Sequence, residues 1–378
     1  FFAFFTAAYG ATLGIAMSAD LLTMYFFYEI LTLVTLPLVI QPMTKKAIRA
    51  GRKYLYMSLG GSAFAFIGLV ILIHQTGQAE FVSGGIYDNA LDTTGLVAYL
   101  LTFLGFGVKS AVFPLHIWLP AASVAPTPVT ALLHAVAVVK SGAFAIIRVT
   151  YYCYGVEAIR GTWAQYTALI IAIITIVYGS AMALRERHFK RRLAYSTVSN
   201  ISYIVFGAML LSEAGLAAAL MHFLFHSVTK IAAFMNAGAV IETTEREYIF
   251  RLDGLGRKMP VTFGCFTVSA LSLTGIPLFC GFFSKWNLCT AALADGGAYG
   301  IVGVAALLIS ALFTAIYMFS IVIRAFFRQG EDLEDVHEAN WRMSWIALPL
   351  ALFMALAFIL MPQLSQYFNS IASAAFAA

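Results

Sequence analysis

Charge is what this sequence has least of. Only 11% of its 378 residues are Asp, Glu, Lys or Arg and 61% are hydrophobic, whereas a soluble domain carries about a quarter charged residues. That excludes an ordinary soluble domain and reads as an all-α polytopic membrane protein. Cysteine is scarce too: Cys153, Cys265, Cys280 and Cys289 show no CxxC and no Cys/His ligand spacing, so no metal, haem or iron–sulfur cofactor is expected. The opening FFAFFTAAYGATLGIAMSA lacks the basic region and cleavage site of a signal peptide. It reads as a spanning helix, and the natural chain is expected to begin further upstream. Carboxylates are almost missing from the apolar runs, where only Glu29, in MYFFYEILTLVTLPLV, sits well inside one.

With about 20 apolar residues per crossing, eleven helices are predicted near 1–19, 21–40, 54–73, 96–118, 128–152, 164–184, 194–211, 215–241, 259–292, 298–325 and 343–368. The connections alternate in charge. Loop 41–53 holds Lys45, Lys46, Arg49, Arg52 and Lys53, and loop 185–192 holds Arg185, Arg187, Lys190, Arg191 and Arg192. Arg246, Arg251, Arg257 and Lys258, then Arg324, Arg328 and Arg342, fall on the same side, so that seventeen of 23 Lys and Arg share one face. By the positive-inside rule that face is cytoplasmic and the C-terminus lies outside. The net charge of +5 thus reports topology rather than a nucleic-acid partner. The opposite loops, 74–95 and 153–163, set Glu80, Asp88, Asp92 and Glu157 against Arg160 alone.

The remaining cations carry the chemistry. Arg148 approaches the outer end of its helix, but Lys109, Lys140, Lys230 and Lys285 lie within spans, where an ammonium costs several kcal/mol and marks an ion path by default. The stretch GFGVKSAVFPLHIWLPAASVAPTPVTALLHAVAVVKSGAF, residues 105–144, combines Lys109, His116, His134 and Lys140 with four prolines. Pro114 is expected to break one helix, and Gly275 and Pro277 another just ahead of Lys285. Interrupted backbone at that depth needs neighbouring protein or a hydrated cavity. Burial disfavours the charged form of a side chain and an opposite charge favours it. At about 5 Å and an effective dielectric near 20, a Glu–Lys pair gains roughly 3 kcal/mol, so Glu29 with Lys109 is a candidate proton switch. HFLFHSVTK places His222, His226 and Lys230 at i, i+4 and i+8, a titratable ladder on one helix face over about 12 Å. His134 and Lys140 fall on different faces and bridge two neighbours. Tyr195, Ser196 and Ser199 read as packing, His74, His188 and His337 as loop residues, and EDLEDVHEAN as a solvated loop.

In YEILTLVTLPLV, GVKSAVFPLHIWLPAASVAPTPVTALLHAVAVVKSGAF, RRLAYSTVSNISYI, HFLFHSVTKIAAFMNAGAVI, DGLGRKMP and SLTGIPLFCGFFSKWNL, the chain resembles the antiporter-like subunits shared by respiratory complex I (NADH–quinone oxidoreductase chains L, M and N), Mrp cation/proton antiporters and membrane-bound hydrogenases. The resemblance implies fourteen transmembrane helices, of which eleven are present here, and two inverted five-helix repeats each with a broken helix. The repeats would be 1–152 and 153–325, with a cytoplasmic loop and a last helix over 326–378. It makes Glu29 and Lys109 the coupling pair of the first half-channel and has His134 and Lys140 passing protons to the middle. Lys230 with His226 becomes the central relay and Lys285 serves the exit. Lys285 fits the L, N and Mrp types better than the M type, LLHAVAVVKSGAFAIIR looks most like Mrp-type sequences, and with a chain that stops after its last span a D-type Mrp chain is the nearest match. Implied partners are other membrane subunits in a bacterial or archaeal cytoplasmic membrane: antiporter-like paralogues, and hydrogenase or dehydrogenase subunits. The implied function is proton translocation without a redox centre in this chain. The alternatives are Na⁺(K⁺)/H⁺ antiport and, as a third reading, a non-conducting membrane anchor.

Overall fold

A computed structural model describes residues 1–87, 90–294 and 297–377; Asp88, expected in an outer loop, lies outside them. The described residues are almost entirely helical, with no strand among them, as backbone in hydrocarbon requires. In chain order the helices of five or more residues are α1 Phe2–Met17, α2 Leu21–Ile40, α3 Lys45–Thr76, α4 Thr93–Gly107, α5 Trp118–Ala122, α6 Thr127–Tyr154, α7 Trp163–Arg185, α8 Phe189–Met209, α9 Glu213–Thr244, α10 Pro260–Thr274, α11 Cys280–Ala294, α12 Ala298–Phe327 and α13 Trp341–Phe376.

Seven of them, α2, α3, α6, α7, α9, α12 and α13, are long and apolar enough to cross a membrane, while α1, α4 and α10 are apolar but shorter. Large apolar side chains such as Leu13, Leu308 and Leu312 face outward, far beyond what water tolerates as a continuous surface. The chain is an integral, multi-pass membrane protein.

Helix starts follow capping chemistry. Asp20, Thr44, Asp92, Thr162 and Ser212 each accept a hydrogen bond from an amide of the first turn, satisfying donors that would otherwise be orphaned. At the head of α2 the Thr23 hydroxyl and amide donate to Asp20 at 2.7 and 2.8 Å, and these bonds hold its carboxyl below the usual carboxylate range. Asp20→Ala is expected to cost about 1 kcal/mol. Because the folded-state value is lowered, the charge-dependent part of the cap is complete above the unfolded value, about pH 4, and is lost as pH falls through the folded one. Thermal unfolding of wild type and variant as a function of pH measures this.

Several expected boundaries move. The basic loop 41–53 is mostly helix: α3 starts at Lys45, and its polar first two turns escape a reading based on apolar length. Lys190, Arg191 and Arg192 likewise belong to the first turn of α8, and His74 to the last turn of α3. The outer loop 153–163 contains the short helix Val156–Ile159. The acidic run after Phe327 does not simply float in solvent. Glu338 accepts from the Val261 amide at 2.8 Å and the Thr262 hydroxyl at 2.6 Å, placing negative charge at the positive end of α10. Arg246 holds the carbonyls of Glu331 and Asp332.

Candidate functional site

Both expected helix breaks are present. α4 ends at Gly107, and the chain turns through Lys109, Ser110 and Ala111 before Pro114 and α5. Ala111 adopts φ +55°, a strained region for a residue with a Cβ. The freed backbone groups find partners: the Trp118 indole donates to the Val108 carbonyl at 2.7 Å, and the Phe113 amide to Thr175 Oγ1 of α7 at 2.9 Å. Gly275 ends α10 at φ +88° and Leu278 follows at φ +78°. Each break therefore combines a buried lysine with a non-glycine residue in left-handed backbone.

All four lysines are buried, Lys109 and Lys230 completely. Each donates to a backbone carbonyl of another helix. Lys109 reaches the carbonyl of Tyr28 on α2 and lies over the Tyr28 ring, 3.3 Å from its centroid. Lys140, on α6, donates to the Phe223 carbonyl of α9 at 3.0 Å. Lys230, on α9, donates to the Leu193 carbonyl of α8 at 3.0 Å. Lys285, on α11, reaches the carbonyls of Leu273 and Thr274 at the end of α10, where a cation complements the helix dipole. Cationic donors on neutral carbonyls make strong hydrogen bonds without neutralising the charge.

The histidines join two of these lysines. Lys140 Nζ and His226 Nδ1 are 3.0 Å apart; the His226 and His222 rings stack at 5.9 Å; His222 Nδ1 and Ser284 Oγ are 2.9 Å apart, one residue before Lys285. A polar sequence therefore runs from α6 across α9 to α11. A cavity of about 10 Å³ lies among Asn200, His222, His226, Thr229 and Lys285, close to the room one water needs. Lys230 turns away from the ladder. Its second bond is to Ser196 Oγ at 2.7 Å, and the Tyr317 hydroxyl donates to the same oxygen at 2.7 Å.

Among the described residues no ion pair joins Glu29 to Lys109. Glu29 is half-buried, its Oε1 has no hydrogen-bond partner, and Lys109 binds the carbonyl of the residue before it. His134 lies on Phe234 of α9, ring centroids 5.0 Å apart, with Nε2 3.5 Å from Ser123 Oγ. It occupies the π-helical turn Leu132–Val136 inside α6, an interruption the sequence did not announce. Ser110, Ser141, His222 and His226 also keep buried polar atoms without a protein partner among the described residues.

Sequence reasoning dismissed Ser196 as packing and did not single out Tyr317, Ser284 or Tyr28. A serine one helical turn after Arg192 carries no local mark of a contact with a lysine 34 residues on. Ser196→Ala removes the hydroxyl shared by Lys230 and Tyr317 and is expected to cost about 1–3 kcal/mol of stability, with Ser196→Thr restoring it; thermal unfolding reads both.

The family model described as NADH:quinone oxidoreductase/Mrp antiporter, TM, matches residues 18–314. NADH-quinone oxidoreductase subunit N of Desulforudis audaxviator is 34% identical over 87% of this chain and 65% of its own length. Subunit L of Mycobacterium tuberculosis is 35% identical over 81% of this chain and 48% of its own. The D-type chain of the Na(+)/H(+) antiporter of Alkalihalophilus pseudofirmus is 28% identical over 95% and 72%. The chain thus spans about half to two-thirds of the first two of these relatives. Among solved structures, the fold superposes on a chain of the Mrp complex from Dietzia with TM-score 0.87 at 22% identity, covering 99% of this chain and 79% of the other. It superposes on a chain of the membrane-bound sulfane sulfur reductase, an archaeal respiratory membrane complex, with TM-score 0.88 at 25% identity, covering 99% and 75%.

Proposed function

The chain belongs to the NADH:quinone oxidoreductase/Mrp antiporter transmembrane family, and on that premise we propose that it is a proton-translocating subunit of a larger membrane complex. The observation that carries this reading is the state of Lys109, Lys140, Lys230 and Lys285, the lysines buried within the apolar runs. Buried cations kept for stability are paired with carboxylates, yet among the described residues the ion pairs involve Arg160, His188, Arg191, Arg324 and Arg328, none of them one of these lysines. An amine held by carbonyls and by a histidine is free to exchange its proton. The unpartnered atoms of Glu29, Ser110, Ser141, His222 and His226 support hydration of the same line, since leaving each dry costs about 1–3 kcal/mol.

In this proposal protons move along Glu29, Lys109, Lys140 with His134, His226 and His222, to Lys285, while Lys230 with Ser196 forms a branch toward α8 and α12. The segments before and after each break, α4 with α5 and α10 with α11, count as one broken crossing each, which makes eleven crossings. Residues 1–152 and 153–325 form the two inverted repeats, and 326–378 the connecting loop and last helix. The basic face is cytoplasmic, the C-terminus lies outside, and other membrane subunits supply the driving force.

A second reading, exchange of Na⁺ or K⁺ for protons, is favoured by the likeness to the D-type antiporter chain over 95% of this sequence. Flux measured in vesicles with and without a sodium or potassium gradient, together with the identity of co-purifying subunits, separates the two. Proton movement that requires a counter-cation gradient selects antiport; movement driven by redox partners alone selects the first reading.

A further inference from the structure

A second cavity, remote from the lysine line, has the chemistry of an anion site. It encloses about 470 Å³ between α3, α5 and α8 on the basic face, within the size range of small-molecule pockets and far more than one phosphate group requires. Lys46, Arg49 and Lys53 line one wall; at i, i+3 and i+7 they share one face of α3. Arg191 and Tyr195, one turn apart on α8, line the opposite wall. Among the described residues no carboxylate lines the space. Glu186 lies 2.8 Å from Arg191 and Glu247 3.3 Å from His188, while Lys46, Arg49 and Lys53 make no ion pair among the described residues.

The positive-inside rule explains why such residues lie on this face but not why they converge. Lys45 and Arg52, on the same two turns of α3, do not line the cavity. Lys46, Arg49 and Lys53 are exposed, so water screens their mutual repulsion, but four cations around one opening still favour an anion there, and Arg and Lys together favour a phosphoryl group, Arg through its bidentate fork. The floor is apolar, built from Ala50, Pro120 and Val124, and Ile117 at its edge is 47% exposed.

We propose that this cavity binds a phosphate-bearing group at the membrane interface, seating it on Lys46, Arg49, Lys53 and Arg191, with the apolar floor receiving the start of an acyl chain. The source that fits both walls is the phosphodiester head of an anionic lipid; free phosphate shares only the charge.

The test uses the full chain with its co-purifying subunits in nanodiscs of phosphatidylglycerol or of phosphatidylcholine, with lipid retained on the released chain counted by native mass spectrometry. Retention of phosphatidylglycerol but not phosphatidylcholine is expected. Lys46→Gln, Arg49→Gln and Lys53→Gln together should reduce it about tenfold or more, whereas Lys45→Gln, Arg52→Gln and Lys258→Gln, an equal loss of charge on the same face, should leave it unchanged. Displacement by millimolar inorganic phosphate would assign the site to free phosphate, and its failure to displace assigns it to lipid; both outcomes retain the phosphate site. Equal retention by wild type and the cavity variant, or equal loss in both triple variants, overturns it.

Discussion

Lys109→Ala is expected to lower the proposed proton translocation at least tenfold while the subunit still folds and assembles. Lys109 stands where α4 stops, completely buried, with its ammonium on the Tyr28 carbonyl and ring. Its removal withdraws the lysine at the first break and also relieves the desolvation of a buried charge. The alanine leaves a cavity, so Lys109→Met, which keeps most of the stem, separates packing from proton carriage. Both variants should lose at least tenfold in flux, about 1.4 kcal/mol or more in the barrier, and Met should recover the thermal stability that Ala loses. Flux in reconstituted vesicles and co-purification of the partner subunits are the measurements. A Met variant with wild-type flux would remove Lys109 from the path.

Gly142→Val disrupts the same region from the opposite side. A Cβ at Gly142, on α6 two residues after Lys140, would lie 2.5 Å from the Ser110 amide nitrogen and 2.9 Å from the Lys109 carbonyl carbon. These are backbone atoms of the strained turn, which cannot swing aside as a side-chain tip can. Glycine here permits the close approach that seats Lys109 against α6, as small residues do between membrane helices. Overpacking is expected to destabilise by about 1–3 kcal/mol and to lower flux although every titratable residue is retained. Gly264→Ala, in α10 where a Cβ meets nothing within 4 Å, should leave both stability and flux unaffected. Thermal unfolding and flux of the two variants decide; a Gly142→Val protein as stable and active as wild type would show that the turn has room to shift.

The helical architecture was legible because hydrocarbon leaves few choices. Apolar runs marked the helices, and prolines and glycines marked the breaks, with Gly275 found at its left-handed position. What sequence could not show were the partners of the lysines. Every residue offers a carbonyl, so nothing in the side-chain order points Lys109 at Tyr28 or Lys285 at Leu273. The ladder at His222, His226 and Lys230 was visible as spacing, but His226 joins Lys140 from another helix, 86 residues away, and Lys230 turns to Ser196. The π turn around His134 carries no glycine or proline; it reflects packing against α9 rather than local propensity. The helical start of α3 was hidden for the opposite reason, since a hydropathy reading ends where charge begins although a well-capped helix need not.

The central claim is that buried, unpaired lysines carry protons through this subunit. The most direct measurement is proton flux across vesicles reconstituted with the assembled complex carrying Glu29→Gln, Lys109→Met and Lys230→Met together. Flux reduced to the passive leak of protein-free vesicles, with the subunits still assembled, is the expected result. Flux at the wild-type rate would contradict the claim and make the chain an anchor for its partners.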